Sequence, residues 1–262
     1  MKVREGVRLC ARFSLATSRR EYCGPEGAPA LLRRALEDDE AVEPAAEALM
    51  RFEALSPYLA ALAVKHRRRP LDLSVVEAYW IGNELLEGFT HQDFQAVLTA
   101  LSKRGLPPAV ASRLRVRLPE NPIPHHAFHV FFVGVGQVTG SLPTTLENMD
   151  RCRPSWGLVT HRRRGVAEVE RQPLVKRGRR LALGPPVEVQ ARVDPLFERE
   201  VRAGELLAMH WGEAAVPLSW DRRSHLELYT LRAIEAANEA AAAASNIHGR
   251  AQHAESPAPL EA

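Results

Sequence analysis

The sequence predicts an α+β protein, with a helical N-terminal region followed by a small antiparallel β-sheet or barrel and a C-terminal helix. Three observations carry that expectation. Apolar residues recur at helical spacing from about 28 to 103, short β-type runs take over after 118, and helical spacing returns from about 222. The matching division is a helical region over 1–118, a β-rich region with its closing helix over 119–245, and a disordered Ser/Pro/Ala-rich tail over 246–262.

Each element has a local reason. Val7, Leu9, Ala11, Phe13 and Leu15 form an apolar-spaced segment that ends at Tyr22-Cys23-Gly24-Pro25, where Gly-Pro marks a turn. Leu31, Leu32, Ala35 and Leu36 begin a helical stripe that Ala45, Leu49, Phe52 and Leu55, then Leu59, Leu62 and Ala63, continue; Pro44 and Pro57 suit helix starts. The strongest helical pattern covers 73–88, with Ser74 and Glu77 as a capping box and Val75, Ala78, Tyr79, Gly82, Leu85 and Leu86 on one face. Gly82-Asn83 breaks that pattern, either for close packing or to turn Asn83 toward a site. A further helix over about 91–103 stops at Gly105-Leu106-Pro107-Pro108. Beyond Pro119, Pro122 and Pro124, the run Phe128–Val133 is apolar on both faces and reads as a central buried strand. Short strands are expected at 157–160, 166–170, 180–183, 187–193 and 206–210. A last helix over 222–243 places Leu226, Tyr229, Ile234 and Ala237 on one face and is expected to pack back on the N-terminal helices.

Composition excludes several classes. At 262 residues, with 45% hydrophobic and 26% charged residues, the chain has the means for a proper core and is neither collagenous nor disordered as a whole. No run reaches the roughly 18 apolar residues of a membrane helix. Cys10, Cys23 and Cys152 are few, odd in number and far apart, which fits a reducing compartment and a cytoplasmic location. The net charge of +3 selects no partner by itself. Arg162–Arg164 and Lys176–Arg180 are basic, but no Phe, Tyr or Trp lies between 157 and 196 to stack on bases, which argues against nucleic acid. Basic hairpin tips docking an acidic protein surface are the alternative.

Chemistry concentrates at Pro124-His125-His126-Ala127-Phe128-His129. Neutral imidazole is the commonest protein ligand for transition metals, so His125 and His126 are candidate ligands, with Cys152 and His210 as co-ligands from elsewhere and Cys23 as a further candidate. His129 is expected to point into the sheet, and on a strand His125 lies roughly 13 Å from it. No CxxC or HExxH spacing fixes the set. Cys152, between Arg151 and Arg153, is also a candidate nucleophile with a lowered thiol pKa, paired with His126 or His210. Asn83 is the other candidate catalytic residue.

Several stretches together resemble an uncharacterised bacterial and archaeal protein family: Tyr22-Cys23-Gly24-Pro25, Ala78-Tyr79-Trp80-Ile81-Gly82-Asn83, Pro124-His125-His126-Ala127-Phe128-His129-Val130, Cys152 with Ser155-Trp156-Gly157, and His210-Trp211-Gly212. The resemblance implies an association with nickel–iron hydrogenase genes and their maturation. The leading expectation is an accessory protein for assembly of a redox metalloenzyme, holding a transition metal (Ni, Fe or Zn) and meeting another protein, the metalloenzyme or its assembly machinery. The alternatives are a metal- or Cys/His-dependent hydrolase or lyase and the basic interaction module.

Overall fold

Helix α1 (Lys2–Ser18) is the axis on which the N-terminal region is built. The computed structural model describes residues 2–254, with side chains to 243. The apolar-spaced residues Val7, Leu9, Ala11, Phe13 and Leu15 are all buried in a helix that is covered on nearly every side. A helix covered all round loses its one-sided stripe, so its period cannot be read. Gly6 permits the closest contact, since a Cβ there would stand 2.1 Å from the Leu71 carbonyl oxygen.

Around α1 lie α2 (Ala28–Glu37), α3 (Val42–Leu49), α4 (Ser56–His66), α5 (Leu73–Trp80), α6 (His91–Ser102) and α7 (Pro108–Val116). The sequence reading had no helix at α7. Helix α5 stops at Trp80 rather than running to 88, because Gly82 takes φ +103° and lies against the Tyr229 ring. Its N-cap is Asp72, so the Ser74/Glu77 capping box is not formed. A capping box does open α6, where Thr90 and Asp93 satisfy each other's backbone amides.

The largest correction falls on 128–133, which is not a strand. His126–Phe128 forms a short α-helical turn (α8) that continues as a π-helical turn over His129–Gly134, ended by Gly134 at φ +105°. A short run that is apolar all round fits a buried helix as well as a buried strand, and periodicity cannot separate them. The 13 Å spacing along a strand fails with it. His126 and His129 instead stack, ring centroids 6.1 Å apart.

Helix α9 (Leu146–Cys152), capped by Thr145, leads into the sheet. Strands β1 (Ser155–Arg163), β2 (Val166–Arg171), β5 (Val187–Arg192), β6 (Leu206–His210) and β7 (Glu213–Leu218) form a closed barrel in the order β1-β2-β5-β7-β6. The barrel is mixed, since β5 and β7 are parallel and meet at the single pair Arg192↔Glu213. Val159, Ala167, Val169, Ala191, Leu207, Met209 and Ala214 fill it. Strands β3 (Leu174–Arg177) and β4 (Arg180–Leu183) make a separate hairpin. Both basic clusters stand at hairpin tips, with Arg163 on Glu168 at 2.7 Å and Arg162 on Glu198 at 3.6 Å.

Helix α10 (Trp220–Ala254) returns to the N-terminal region through Arg222 on Glu77 and Arg232 on Glu87. Asn238 clasps the β3–β4 hairpin through both Leu181 backbone groups. Of the expected disordered tail, 246–254 lie within α10 and 255–262 lie outside the described residues. One apolar cluster runs from Val7 to Ala240 and joins helices, π-turn and barrel wall. Among the described residues no helix is long and apolar enough to cross a membrane.

Candidate metal centre

Three chain segments deliver one donor each to the space between α1, the π-turn and the barrel. His126 comes from α8, held in register by His125, whose Nδ1 accepts the Ala127 amide. Cys152 ends α9, and Asp150 one turn earlier pins that helix to the sheet by accepting from Arg153, Arg171 and the Leu174 amide. His210 ends β6 at a two-residue hairpin turn, Trp211-Gly212, with both residues in the left-handed region (φ +52° and +71°). Glycine suits such a turn. Tryptophan does not, and its strained backbone is held by an amide bond to the Arg151 carbonyl and by ring packing on Tyr22.

The ligand atoms of His126, Cys152 and His210 all lie within 4.8 Å of one another. Cys152 Sγ is 3.6 Å from His126 Nε2. A tetrahedral ion with a metal–nitrogen bond of ~2.0–2.1 Å and a metal–sulfur bond of ~2.3 Å sets nitrogen and sulfur about 3.5 Å apart. That edge is therefore already at its bonded length, while the other two, which lie within 4.8 Å, shorten by up to about 1.4 Å on binding.

The hydrogen bonds orient both imidazoles. His210 Nδ1 lies 2.7 Å from the Phe13 carbonyl, an acceptor, so Nδ1 carries the proton and Nε2 the lone pair. That Nε2 is buried without a hydrogen-bond partner. Buried polar atoms are rarely left so, and a ring nitrogen bare on one side and donating to a carbonyl on the other is the usual posture of a metal-binding histidine. His126 Nδ1 lies 2.8 Å from the Tyr79 hydroxyl, and its Nε2 lies 3.1 Å from the Cys152 carbonyl. By the rule used for His210, His126 Nε2 carries the proton in this structure and donates to the Cys152 carbonyl, while Nδ1 accepts from the Tyr79 hydroxyl. A phenol also accepts, so ligation through Nε2 would move that proton to Nδ1, onto Tyr79. Trp80 covers the pair, its ring 4.4 Å from His126 and 5.1 Å from His210.

Burial governs the electrostatics. Loss of hydration pushes the His210 pKa down to about 4 and that of His126 well below the ordinary value, the latter helped by its neighbouring histidines. Both rings are neutral near pH 7, as ligation requires. The flanking arginines do not lower the Cys152 pKa as the sequence suggested. Arg151 turns out over the Trp211 ring, and Arg153 is spent on Asp150. Burial pushes the thiol up instead, and the nearby Cys23 adds to the rise.

The other candidates lie apart from this trio. His125 is buried with its ring toward Tyr229, and burial pushes its pKa down to about 3. Asn83 is structural: its amide donates to the Ser74 carbonyl and its oxygen accepts from the Leu85 amide. His129 pairs with the Tyr58 hydroxyl at 3.0 Å. The sequence reading passed over Tyr79 and Trp211 as site residues. Their signal was adjacency, since each sits beside Trp80 or His210 in an aromatic-rich stretch. The Phe13 carbonyl left no signal at all.

A small cavity of about 50 Å³ reaches the centre, lined by Cys23, His126, His129, Cys152 and Trp211 among others. That is room for an ion and a few waters, well below the ~300 Å³ at which organic ligand sites begin. Comparison with known proteins finds a match to one family model, described as a family of unknown function (DUF6390), over residues 2–244. No curated protein and no solved structure matches the chain.

Proposed function

Starting from the finding that the chain belongs to the DUF6390 family, we propose that it is a metal-binding accessory protein that holds a transition-metal ion on His126, Cys152 and His210. The observation that carries this reading is the convergence of three buried donors from distant segments, the ligand atoms of His126, Cys152 and His210 all lying within 4.8 Å of one another. Neutral nitrogen and sulfur donors without a carboxylate favour a borderline or soft ion such as zinc, nickel or iron over magnesium or calcium. Three protein ligands leave one position open for exchange. That suits a protein that loads and passes on an ion, and assembly of a redox metalloenzyme is the role it fits. The resemblance noted in the sequence makes nickel–iron hydrogenase the first client to test.

The 3.6 Å contact between Cys152 and His126 would also serve a nucleophilic pair. Against it stand a thiol held protonated by burial, an imidazole whose lowered pKa makes it a weak base, and a cavity too small for most substrates.

Protein purified without a polyhistidine tag and loaded with zinc or nickel, then desalted, is expected to retain about one ion per chain by elemental analysis. His126→Ala and His210→Ala are expected to retain less than about a tenth of that. Sub-stoichiometric metal in the wild type, or full retention in both variants, overturns the reading.

A further inference from the structure

Three donors leave a tetrahedral ion one ligand short, and the cavity wall holds a further thiol. Cys23 lines the same cavity as His126 and Cys152 and is half-buried. Its turn is fixed on several sides. Gly24 at φ +96° lies so close to the Phe52 ring that a Cβ would stand 2.4 Å from it. The Gly24 amide donates to Glu53 at 3.2 Å, and Ser141 donates to the Tyr22 carbonyl at 2.7 Å. The Tyr22 ring packs on Trp211 at 4.8 Å, tying the Cys23 turn to the His210 turn. Thr17, on the same helix that supplies the Phe13 carbonyl to His210, touches the Cys23 thiol.

Among the described residues, the other cavity-lining group with a comparable donor is His129, and its ring is badly placed. Imidazole lone pairs lie in the ring plane, and the His126 and His129 planes are 24° from parallel at 6.1 Å. One of the His129 ring nitrogens, Nδ1, is already engaged by the Tyr58 hydroxyl at 3.0 Å. What points to a ligand here is that Cys23 shares the cavity wall with two members of the trio, His126 and Cys152, and lies near enough to Cys152 to raise its thiol pKa.

We propose that Cys23 is the fourth ligand, drawn in from the cavity wall when an ion binds, so that the loaded centre is Cys2His2 and takes a thiophilic cargo. This rests on the three-donor reading above and goes beyond it. Cys23 stands outside the resting trio but on the wall of the cavity that His126 and Cys152 also line. Loading releases the thiol protons of Cys23 and Cys152 to solvent as two metal–sulfur bonds form, with no change of oxidation state.

The test is anaerobic titration with cobalt(II) alone, together with X-ray absorption on the zinc-loaded protein. The wild type is expected to show tetrahedral cobalt bands and two sulfur neighbours per ion. Cys23→Ser is expected to show one sulfur neighbour, near-UV thiolate-to-cobalt absorption reduced to about half, and affinity at least ~10-fold weaker. Its metal-free melting temperature checks that the fold is intact, and Cys23→Ala repeats the test without a hydroxyl. One sulfur neighbour in the wild type, or unchanged spectra in both Cys23 variants, overturns the role of Cys23 and leaves the trio standing. A wild type that takes up no cobalt removes the trio and this inference together.

Discussion

Tyr79 is the residue on which the proposed centre depends without containing it. Its hydroxyl contacts His126 Nδ1 in a fully buried position, and burial holds its pKa well above the ordinary value, so it stays a neutral phenol. An ion on Nε2 forces the His126 proton onto Nδ1, where Tyr79 must accept it. Tyr79→Phe leaves that N–H unpaired, so metal affinity measured against a competing chelator is expected to fall about 10–100-fold with one ion still bound. Unchanged affinity would mean that Nε2 is not the ligating atom. The residue types of the centre were legible in the sequence, because histidines and a cysteine beside aromatic residues stand out. Their assembly was not. His126, Cys152 and His210 meet only through contacts such as His210 to Phe13, whose partners lie far apart in the chain and involve a backbone atom of no particular residue type.

At the level of elements, the sequence showed most clearly what half-buried segments do and misread what is buried all round. The strands at 157–160 and 166–170 were visible because one face is wet, and that at 206–210, buried after its first residue, as a short apolar run bounded by turns. The π-turn over His129–Gly134 was misread as a strand because both faces are apolar, and the same all-round burial left the period of α1 unreadable. The π-turn matters for the centre, since a wide turn beside His126 is a feature often found at functional sites. Gly82 ends α5 one residue past its C-cap and lets Tyr229 of α10 lie against the break, while the Tyr229 hydroxyl donates to Glu87 at 2.9 Å. Gly82→Ala must strain a φ of +103° and displace that ring. The expected loss in urea unfolding is about 2–4 kcal/mol, from backbone strain together with overpacking. A loss below about 0.5 kcal/mol would mean that α10 shifts freely over the break.

Across the whole molecule, four histidines are buried near one another, and this fixes an acid limit. Loss of hydration lowers the pKa of His125 to about 3 and those of His129 and His210 to about 4, with His126 also well below its usual value. The unfolded chain takes up protons near pH 6.5 while the folded one does not, so it binds more protons across the interval between. Stability is therefore full above about pH 6.5 and falls steadily as pH drops toward 4. The melting temperature of the metal-free protein is expected to decline across that range, and a flat profile would mean that the imidazoles are hydrated. A different vulnerability lies at the barrel seam. The ring closes through one rung, Arg192↔Glu213, next to the Trp211-Gly212 turn. Glu213 is nearly buried there and gathers Arg19, Arg20 and Arg192, whose far ends reach water. The other walls are zipped by long ladders of amide bonds, whereas this joint is held chiefly by opposite charges. Dissolved ions weaken such attraction and leave ladders untouched. Ionic strength would thus act on how readily the cylinder parts beside His210 and, if the proposed centre is loaded, on how quickly its ion finds a way out.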